Sequence, residues 1–328
     1  VADLIAAPTA NELLASMSGK RVVVVGDCMV DEWIWGDVTR ISPEAPVPVV
    51  AVREHTFTLG GAGNVAHNLC ALGAHVKVVG GIGDDAEGVR TRALFEDLGV
   101  DAAGLVVLAD RPTTRKTRVV AHNQQVVRAD WESSAPLRDA DRARVVDAVR
   151  ALSGQADAIV LSDYAKGFLS REIVEASFGA PVVVADPKPQ NVLLFAGVTC
   201  IAPNAGEAAK ASGIAIVDQP SLEAAGAELL RLLDCRYVVI TRGEHGMSLF
   251  GKQGERSDIP ALARTVFDVS GAGDTVVAVL TLALAAGIGA KVATQLANLA
   301  ASAVVEKLGT ATATPDEIIA LLEHAHGG

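Results

Sequence analysis

No hydrophobic run in this sequence reaches the roughly 20 residues that a helix needs to cross a bilayer. The longest candidate, 275–290, stops at Lys291 and reads as a buried helix. Aromatic residues make up only 4% of the 328, so the core must be built from small aliphatic side chains, chiefly Ala and Val. The four cysteines, Cys28, Cys70, Cys200 and Cys235, form no C-x-x-C pair and sit in apolar segments. Reduced core thiols in a cytoplasmic protein follow, rather than a metal site or a disulfide framework. None of the seven histidines falls at metal-ligand spacing. There is no G-x-x-x-x-G-K-[ST] loop, which excludes a P-loop protein. Basic residues are outnumbered 28 to 39, for a net charge of −11, which argues against nucleic acid and anionic membranes as partners. The opening "VADLIAAPTA" has neither the basic region of a signal peptide nor an initiator Met, so the native start is expected to be trimmed or altered.

What is present is a rhythm of short apolar strands and helices. "RVVVVGD" (21–27) reads as a buried strand ending in a Gly-Asp turn. Helical spacing over 64–74 is followed by a strand over 75–83 and an amphipathic helix over 86–98. After residue 136 the alternation is regular, with helices 138–152, 170–178 and 221–233 between strands 158–164, 181–187, 199–204 and 237–243. Such alternation predicts right-handed crossovers and a parallel sheet covered by helices on both faces. Segment 36–58 is different: Pro43, Pro46 and Pro48 lie between alternating apolar residues, as in edge strands or a flap. Strands are also expected at 104–108 and 117–128. The expected organisation is a single α/β domain over 1–328, with a small β-rich lid formed by about 36–58 and 104–130.

The stretch "DVSGAGDT" (268–275) opens the uncharged helix. Its small residues let the backbone amides of Ala272, Gly273 and Asp274 converge on an anion, and the helix dipole adds partial positive charge. Asp274 there is either a helix cap or a general base beside an anion hole. Segment 111–128 carries Arg111, Arg115, Lys116, Arg118 and Arg128 and no acid. It reads as a guarded edge strand or as a site for an anionic group of the substrate. In "PNAGE" (203–207), the spacing of Asn204 and Glu207 fits a capping box, and it also fits hard oxygen ligands around Mg²⁺ and its water. Asp163, Asp186 and the "GD" and "TRG" at 26–27 and 241–243 all follow strands, where ligands of open α/β sheets bind. "GAGNVA" (61–66) matches a dinucleotide fingerprint but does not follow the first strand.

Together these stretches resemble the pfkB, or ribokinase-like, family of sugar kinases, over almost the whole chain. "GGAGNVAHNLCALGA" (60–74) is similar to the family's sugar-binding signature, and "DVSGAGDTVVA" (268–278) to its C-terminal signature, with Val269 a departure at a threonine-like position. "PNAGE" fits its N-x-x-E motif. The resemblance implies a three-layer α/β/α ribokinase-like fold with a mainly parallel sheet, and ATP and Mg²⁺ as cofactors. "RISPEAPVPVV" (40–50), "SDYAKG" (162–167) and "KTRVVAHNQQVVRAD" (116–130) further resemble the heptose 7-phosphate kinase branch. That branch phosphorylates the C1 hydroxyl of D-glycero-β-D-manno-heptose 7-phosphate for lipopolysaccharide core synthesis. Without the H-x-G-H motif of a fused nucleotidyltransferase, the chain resembles the stand-alone kinase form.

Roles follow from the resemblance. Asp274 is the implied base, and the amides of Gly271, Ala272, Gly273 and Asp274 hold the transferring phosphoryl group. Asp31, Gly60, Gly61 and Asn64 grip sugar hydroxyls, Lys116 and Arg118 meet the 7-phosphate, and Asp163 faces the sugar. Lys188 faces the nucleotide phosphates. Thr241, Gly243 and Asn298 line the ATP site, and Asn204 and Glu207 handle Mg²⁺, Glu207 through water. A homodimer through the lid is implied. Three other readings stay open: a kinase of a fructose, ribose or tagatose type of sugar, an inactive sugar-binding regulator, and a dinucleotide oxidoreductase.

Overall fold

The structure, a computed structural model, describes residues 5, 7–122, 124–262, 266–307 and 309–326. Parts of the opening stretch, residues 1–4 and 6, therefore lie outside the described residues. The chain begins with α1 (Ala7–Met17), β1 (Arg21–Gly26), and two long strands, β2 (Cys28–Ile41) and β3 (Pro48–Gly61). It continues through α2 (Ala62–Ala71), β4 (His75–Gly83), α3 (Ala86–Asp97) and β5 (Asp101–Leu108). The strands β6 (Thr114–Ala121) and β7 (Gln124–Trp131) come next, then α4 (Asp139–Ser153), β8 (Ala158–Ser162), α5 (Arg171–Ala176) and β9 (Val183–Asp186). The second half adds β10 (Cys200–Ile201), α6 (Ala205–Ser212), α7 (Gln219–Leu233), β11 (Tyr237–Thr241), β12 (Met247–Gly251) and β13 (Arg256–Ile259). Three helices close it: α8 (Ala272–Ala285), α9 (Ala290–Val305) and α10 (Pro315–His326).

Nine strands form one sheet in the order β13-β12-β11-β10-β9-β8-β1-β4-β5. All neighbours pair in parallel except β11 with β12 and β12 with β13. Parallel strands buried on both faces need apolar side chains on both faces, which is why β1 reads as an unbroken Val run. Its alternation is still visible in the packing. Val22 and Val24 join a core with α1, α2, α3, α8, α9 and α10, whereas Val23 and Val25 join a second core with α4, α5, α6 and α7. Helix α8 is buried almost all round, from Asp274 to Ala283, so it carries no polar stripe.

The other four strands form a separate sheet, β3-β2-β6-β7. Pro43 and Pro46 fall in the loop between β2 and β3, and Pro48 is the first residue of β3, an edge strand. A proline there removes no inner ladder bond. Two sequence expectations shift. Segment 104–108, grouped with the lid, belongs to β5 at the edge of the large sheet. The single strand expected at 117–128 is a hairpin, with β6 and β7 paired antiparallel. The lid is rooted directly in the core, since one residue, Asp27, separates β1 from β2, and β3 runs straight into α2. Its second root is pinned where Asp85 accepts from the Thr113 backbone N–H at 2.8 Å and hydroxyl at 2.6 Å.

Leu229 on α7 is fully buried, whereas Leu193 is 63% exposed. Leu229→Ala should cost about 2–5 kcal/mol by leaving a cavity. Leu193→Ala should stay within about 0.5 kcal/mol of the parent. Denaturant midpoints of the two variants check this, and equal midpoints would contradict the packing described.

Candidate active site

Strands β1, β8, β9, β10 and β11 all point their carboxyl ends at one edge of the sheet. Between β1 and β8 the strand order reverses, the place where open α/β sheets form a ligand crevice. A cavity at that edge, beyond the ends of β8, β9, β10 and β11, brings together seven of the residues to which the resemblance gives roles: Lys188, Asn204, Glu207, Thr241, Gly271, Gly273 and Asp274. Tyr164, Asp186 and Ala202 complete its wall.

Asp274 lies in the first turn of α8 and is only 4% exposed. It is not a cap: Gly271 holds the N-cap position with a left-handed φ of 79°, and no side chain caps the helix. Instead Oδ2 accepts from Asn64 Nδ2 at 2.7 Å and Oδ1 accepts from the Tyr164 hydroxyl at 2.8 Å. Burial pushes its carboxyl up to about 6, against the pull of those two hydrogen bonds and of Lys188. A Cβ on Gly271 would come within 2.6 Å of Asn64 Nδ2, so glycine is needed both for the turn and for the Asn64 contact. The oxygen of that amide, Asn64 Oδ1, is buried and has no protein partner.

The anion-hole loop is narrower than the sequence implies. The N–H of Ala272 turns back to the Val269 carbonyl at 3.3 Å, and Thr275 N–H donates to the Gly271 carbonyl at 3.1 Å. The N–H groups of Gly273 and Asp274, in the first helical turn, have no carbonyl within the helix to meet. Glu207 does two things. With Asn204 it forms the capping box of α6, and its Oε1 meets Lys188 Nζ at 2.6 Å. Burial alone would lower the Lys188 ammonium, but Asp186 and Glu207 outweigh it and hold it above its ordinary value. Burial raises Asp186 to about 7 and Asp27 to about 6. Among the described residues no three His, Cys, Asp or Glu side chains gather as a metal-binding group.

Other assignments sit differently. Asp31 accepts from Arg118, whose guanidinium lies 4.8 Å over the Trp33 ring. A Cβ on Gly60 would meet Asp31 Oδ2 at 2.4 Å, and one on Gly61, with φ 58°, would meet the Asp27 carbonyl at 2.4 Å. These glycines let the lid strands close tightly around Asp27 and Asp31. Asp163 does not face the cleft as expected. Its carboxylate is taken up by the N–H groups of Ala165 at 2.8 Å and Lys188 at 3.0 Å and by Asn191 Nδ2 at 3.1 Å, so it shapes the two loops. Asn298 does not line the cavity either, since its amide donates to the Pro260 carbonyl at 2.8 Å and anchors that segment. Gly243 lies just beyond β11 with a φ of 56°.

The basic segment has acceptors from elsewhere in the chain. Lys116 Nζ lies 3.3 Å from Asp130 and 3.2 Å from Glu132, and Lys166 also reaches Glu132 at 2.6 Å. Arg115 meets Glu87 at 3.1 Å, Arg128 meets Asp130 at 2.7 Å, and Arg111 donates to the carbonyls of Lys166 and Ala135. Tyr164 was missed from the sequence. It follows Asp163 in the same strand-end stretch, and alternation cannot tell which of two neighbours faces the cleft.

Residues 20–317 match the description "pfkB family carbohydrate kinase". The chain belongs to the pfkB family. It is therefore an ATP-dependent sugar kinase by family. This pfkB kinase is 47% identical over 311 residues to "Bifunctional protein HldE" of Desulfatibacillum aliphaticivorans, covering 93% of the chain and 64% of that protein. It is 45% identical over 323 residues to the protein of the same name from Geobacter sulfurreducens, covering 97% and 66%. The chain thus spans a little under two thirds of the length of these relatives. Arabidopsis thaliana ribokinase complexed with ribose and ATP superposes with a TM-score of 0.73 at 21% identity, covering 93% of this chain and 99% of that one. Escherichia coli phosphofructokinase-2 in complex with potassium gives 0.79 at 17%, covering 94% and 99%. At such identities the likeness is one of fold. No helix among the described residues is long and apolar enough to cross a membrane.

The raised carboxyl of Asp186 makes a prediction with a definite sign. A group whose folded value lies above its unfolded value adds stability at low pH and loses it as pH rises through the folded value. For Asp186 that window runs from the ordinary carboxylate value to about 7. Asp186→Asn should therefore be more stable than the parent at pH 8, with the gain shrinking as pH falls towards 4. Melting temperatures of both proteins across that range are the check, and a gain that grew in acid would contradict it.

Proposed function

We propose that this kinase transfers the γ-phosphoryl group of ATP to the C1 hydroxyl of D-glycero-β-D-manno-heptose 7-phosphate. The product is the 1,7-bisphosphate, on the route to ADP-heptose and the lipopolysaccharide core. The observation that carries the reading is Asp274, a buried carboxylate held by two donors at the mouth of α8, beside Lys188 and an unpartnered Asn64 Oδ1. At neutral pH a carboxyl near 6 is mostly ionised yet still basic enough to take a proton. Asp274 accepts the hydroxyl proton, the oxygen attacks the γ-phosphorus in line, and ADP leaves. The N–H groups of Gly273 and Asp274 and the Lys188 ammonium face the charge that spreads over the phosphoryl oxygens. Asn64 Oδ1 and Asp31 accept from sugar hydroxyls, with Gly60 and Gly61 keeping that wall close. Lys188, Asn204, Glu207, Thr241 and Gly243 lie on the ATP side. The carboxylates of Asp186 and Glu207 are hard oxygen donors suited to hydrated Mg²⁺ held mainly by the nucleotide rather than by a protein cage. When bound, that ion supplies neutralising charge to the phosphates.

Heptose specificity is supported by stretches 40–50, 116–130 and 162–167 and by the similarity to proteins named HldE. Lys116 and Arg118 on the lid are assigned to the 7-phosphate, which must compete with Asp130, Glu132 and Asp31 for them. That same pairing favours a second reading, an unphosphorylated sugar acceptor. The exposed lid residues Ile41, Val47 and Val52 support a homodimer through the lid.

ADP release with Mg·ATP tests the reading across heptose 7-phosphate, fructose 6-phosphate, fructose 1-phosphate, ribose and no sugar. Turnover with heptose 7-phosphate is expected, and turnover with ribose alone would sink the heptose assignment. Asp274→Asn should keep fold and substrate binding and lose about 10²–10⁴-fold in kcat. Normal turnover in that variant would remove the base. Lys116→Ala should raise KM for phosphorylated sugars only, and an equal rise for neutral sugars would remove its phosphate role.

A further inference from the structure

We infer that Tyr164 is a positioning residue for the base: its hydroxyl clamps Asp274 Oδ1 so that the carboxylate presents its remaining lone pairs to the incoming sugar hydroxyl. This rests on the reading of Asp274 as base. An ionised carboxylate offers about four lone-pair sites. Asn64, on α2, takes one at Oδ2, and Tyr164, in the turn after β8, takes one at Oδ1. Donors from two different elements leave the carboxylate one plane to lie in.

The turn that carries Tyr164 is built to hold the ring where it is. Asp27 Oδ2 accepts from the backbone N–H of Tyr164 at 2.8 Å and of Lys166 at 3.2 Å. Asp163 Oδ1 accepts from the N–H of Ala165 at 2.8 Å. Ala165 has a φ of 56°, a left-handed conformation that alanine rarely adopts. Two buried carboxylates thus hold a strained backbone one residue beyond the tyrosine, and strain of this kind concentrates at functional sites. The Lys188 ammonium lies 5.3 Å from the centre of the same ring.

Burial and the neighbouring Asp274 push the phenol well above its ordinary value. Tyr164 therefore stays protonated through the working range and acts only as a donor. The proton from the sugar goes to Asp274 and nowhere else. The charged groups that act on Asp274 are Lys188 from the loop after β9, Asp186 from β9 and Asp31 from β2. Asn64 and Tyr164 are its neutral donors. Without the Tyr164 hydroxyl, one of the bonds opposing the effect of burial is gone, so Asp274 titrates at higher pH.

The test is Tyr164→Phe, which keeps the ring. Infrared difference spectra against Asp274→Asn titrate the carboxyl band of Asp274 directly, whatever sugar is accepted. The expected result is a midpoint moved to higher pH. With heptose 7-phosphate and ATP, the acid limb of kcat/KM should move the same way. The plateau kcat should fall roughly 10- to 100-fold, the range for one lost hydrogen bond to a charged group, with both KM values little changed. An unmoved midpoint overturns the inference. So does a fall in kcat that comes with a lower melting temperature and an unmoved acid limb, since that marks a structural role alone. If Asp274→Asn turns over normally, the base reading fails separately, and the infrared midpoint still decides whether Tyr164 governs the carboxylate.

Discussion

Keeping a carboxylate charged when almost no water reaches it is the constraint on which the site depends. Removing an ionised carboxylate from water is expensive unless donors replace the lost hydration. The start of α8 supplies part of the compensation through its dipole. Asn64, Tyr164 and Lys188 supply more, the first two from 210 and 110 residues away in sequence. The fold brings α2, α8 and the end of β8 to one point. Gly271 follows from that need, because a side chain there would occupy the space of the Asn64 amide.

The same economy governs the rest of the cleft. Asp27, Asp186 and Asp274 crowd three buried acids into the carboxyl edge of the sheet, and burial raises all three. Lys188 is the counter-charge that lets the group coexist, bound to Glu207 on one side and felt by Asp186 on the other. Asp163, which donates nothing to the cavity, holds the backbone from which Lys188 projects. In the proposed reaction a highly charged nucleotide enters here, and Lys188, already paired with acids, exchanges partners with it.

The sequence revealed the elements whose signals are local. Strands β1, β4, β8, β9 and β11 are apolar runs bounded by turns, and the helices between them carry the expected spacing. The stretch 268–275 announced Asp274 because small residues at a helix start have few other uses. What stayed hidden depends on long-range pairing. The basic segment holds no acid of its own, and the sequence did not reveal that its cations pair with Asp31, Glu32, Glu87, Asp130 and Glu132 from other strands and helices or from further along the chain. Asn298 looked like a site residue, yet its partner is a carbonyl 38 residues away. At 163–164 the sequence pointed to Asp163, whereas it is Tyr164 that lines the cavity and the buried Asp163 that holds backbone N–H groups, a division that tertiary packing alone makes.

The short root of the lid has a consequence for how this enzyme can change. With Asp27 alone between β1 and β2, the lid has no linker on which to swing. Its root is part of the floor of the cleft. Residues added at its far tip, near 42–47, would lengthen the β2–β3 loop and leave the root alone. One residue added between Gly26 and Cys28 would invert the alternation of β2 and turn Asp31 to the opposite face of the lid. The length of the root thus decides which face of the lid carries Asp31, and the length of the tip does not.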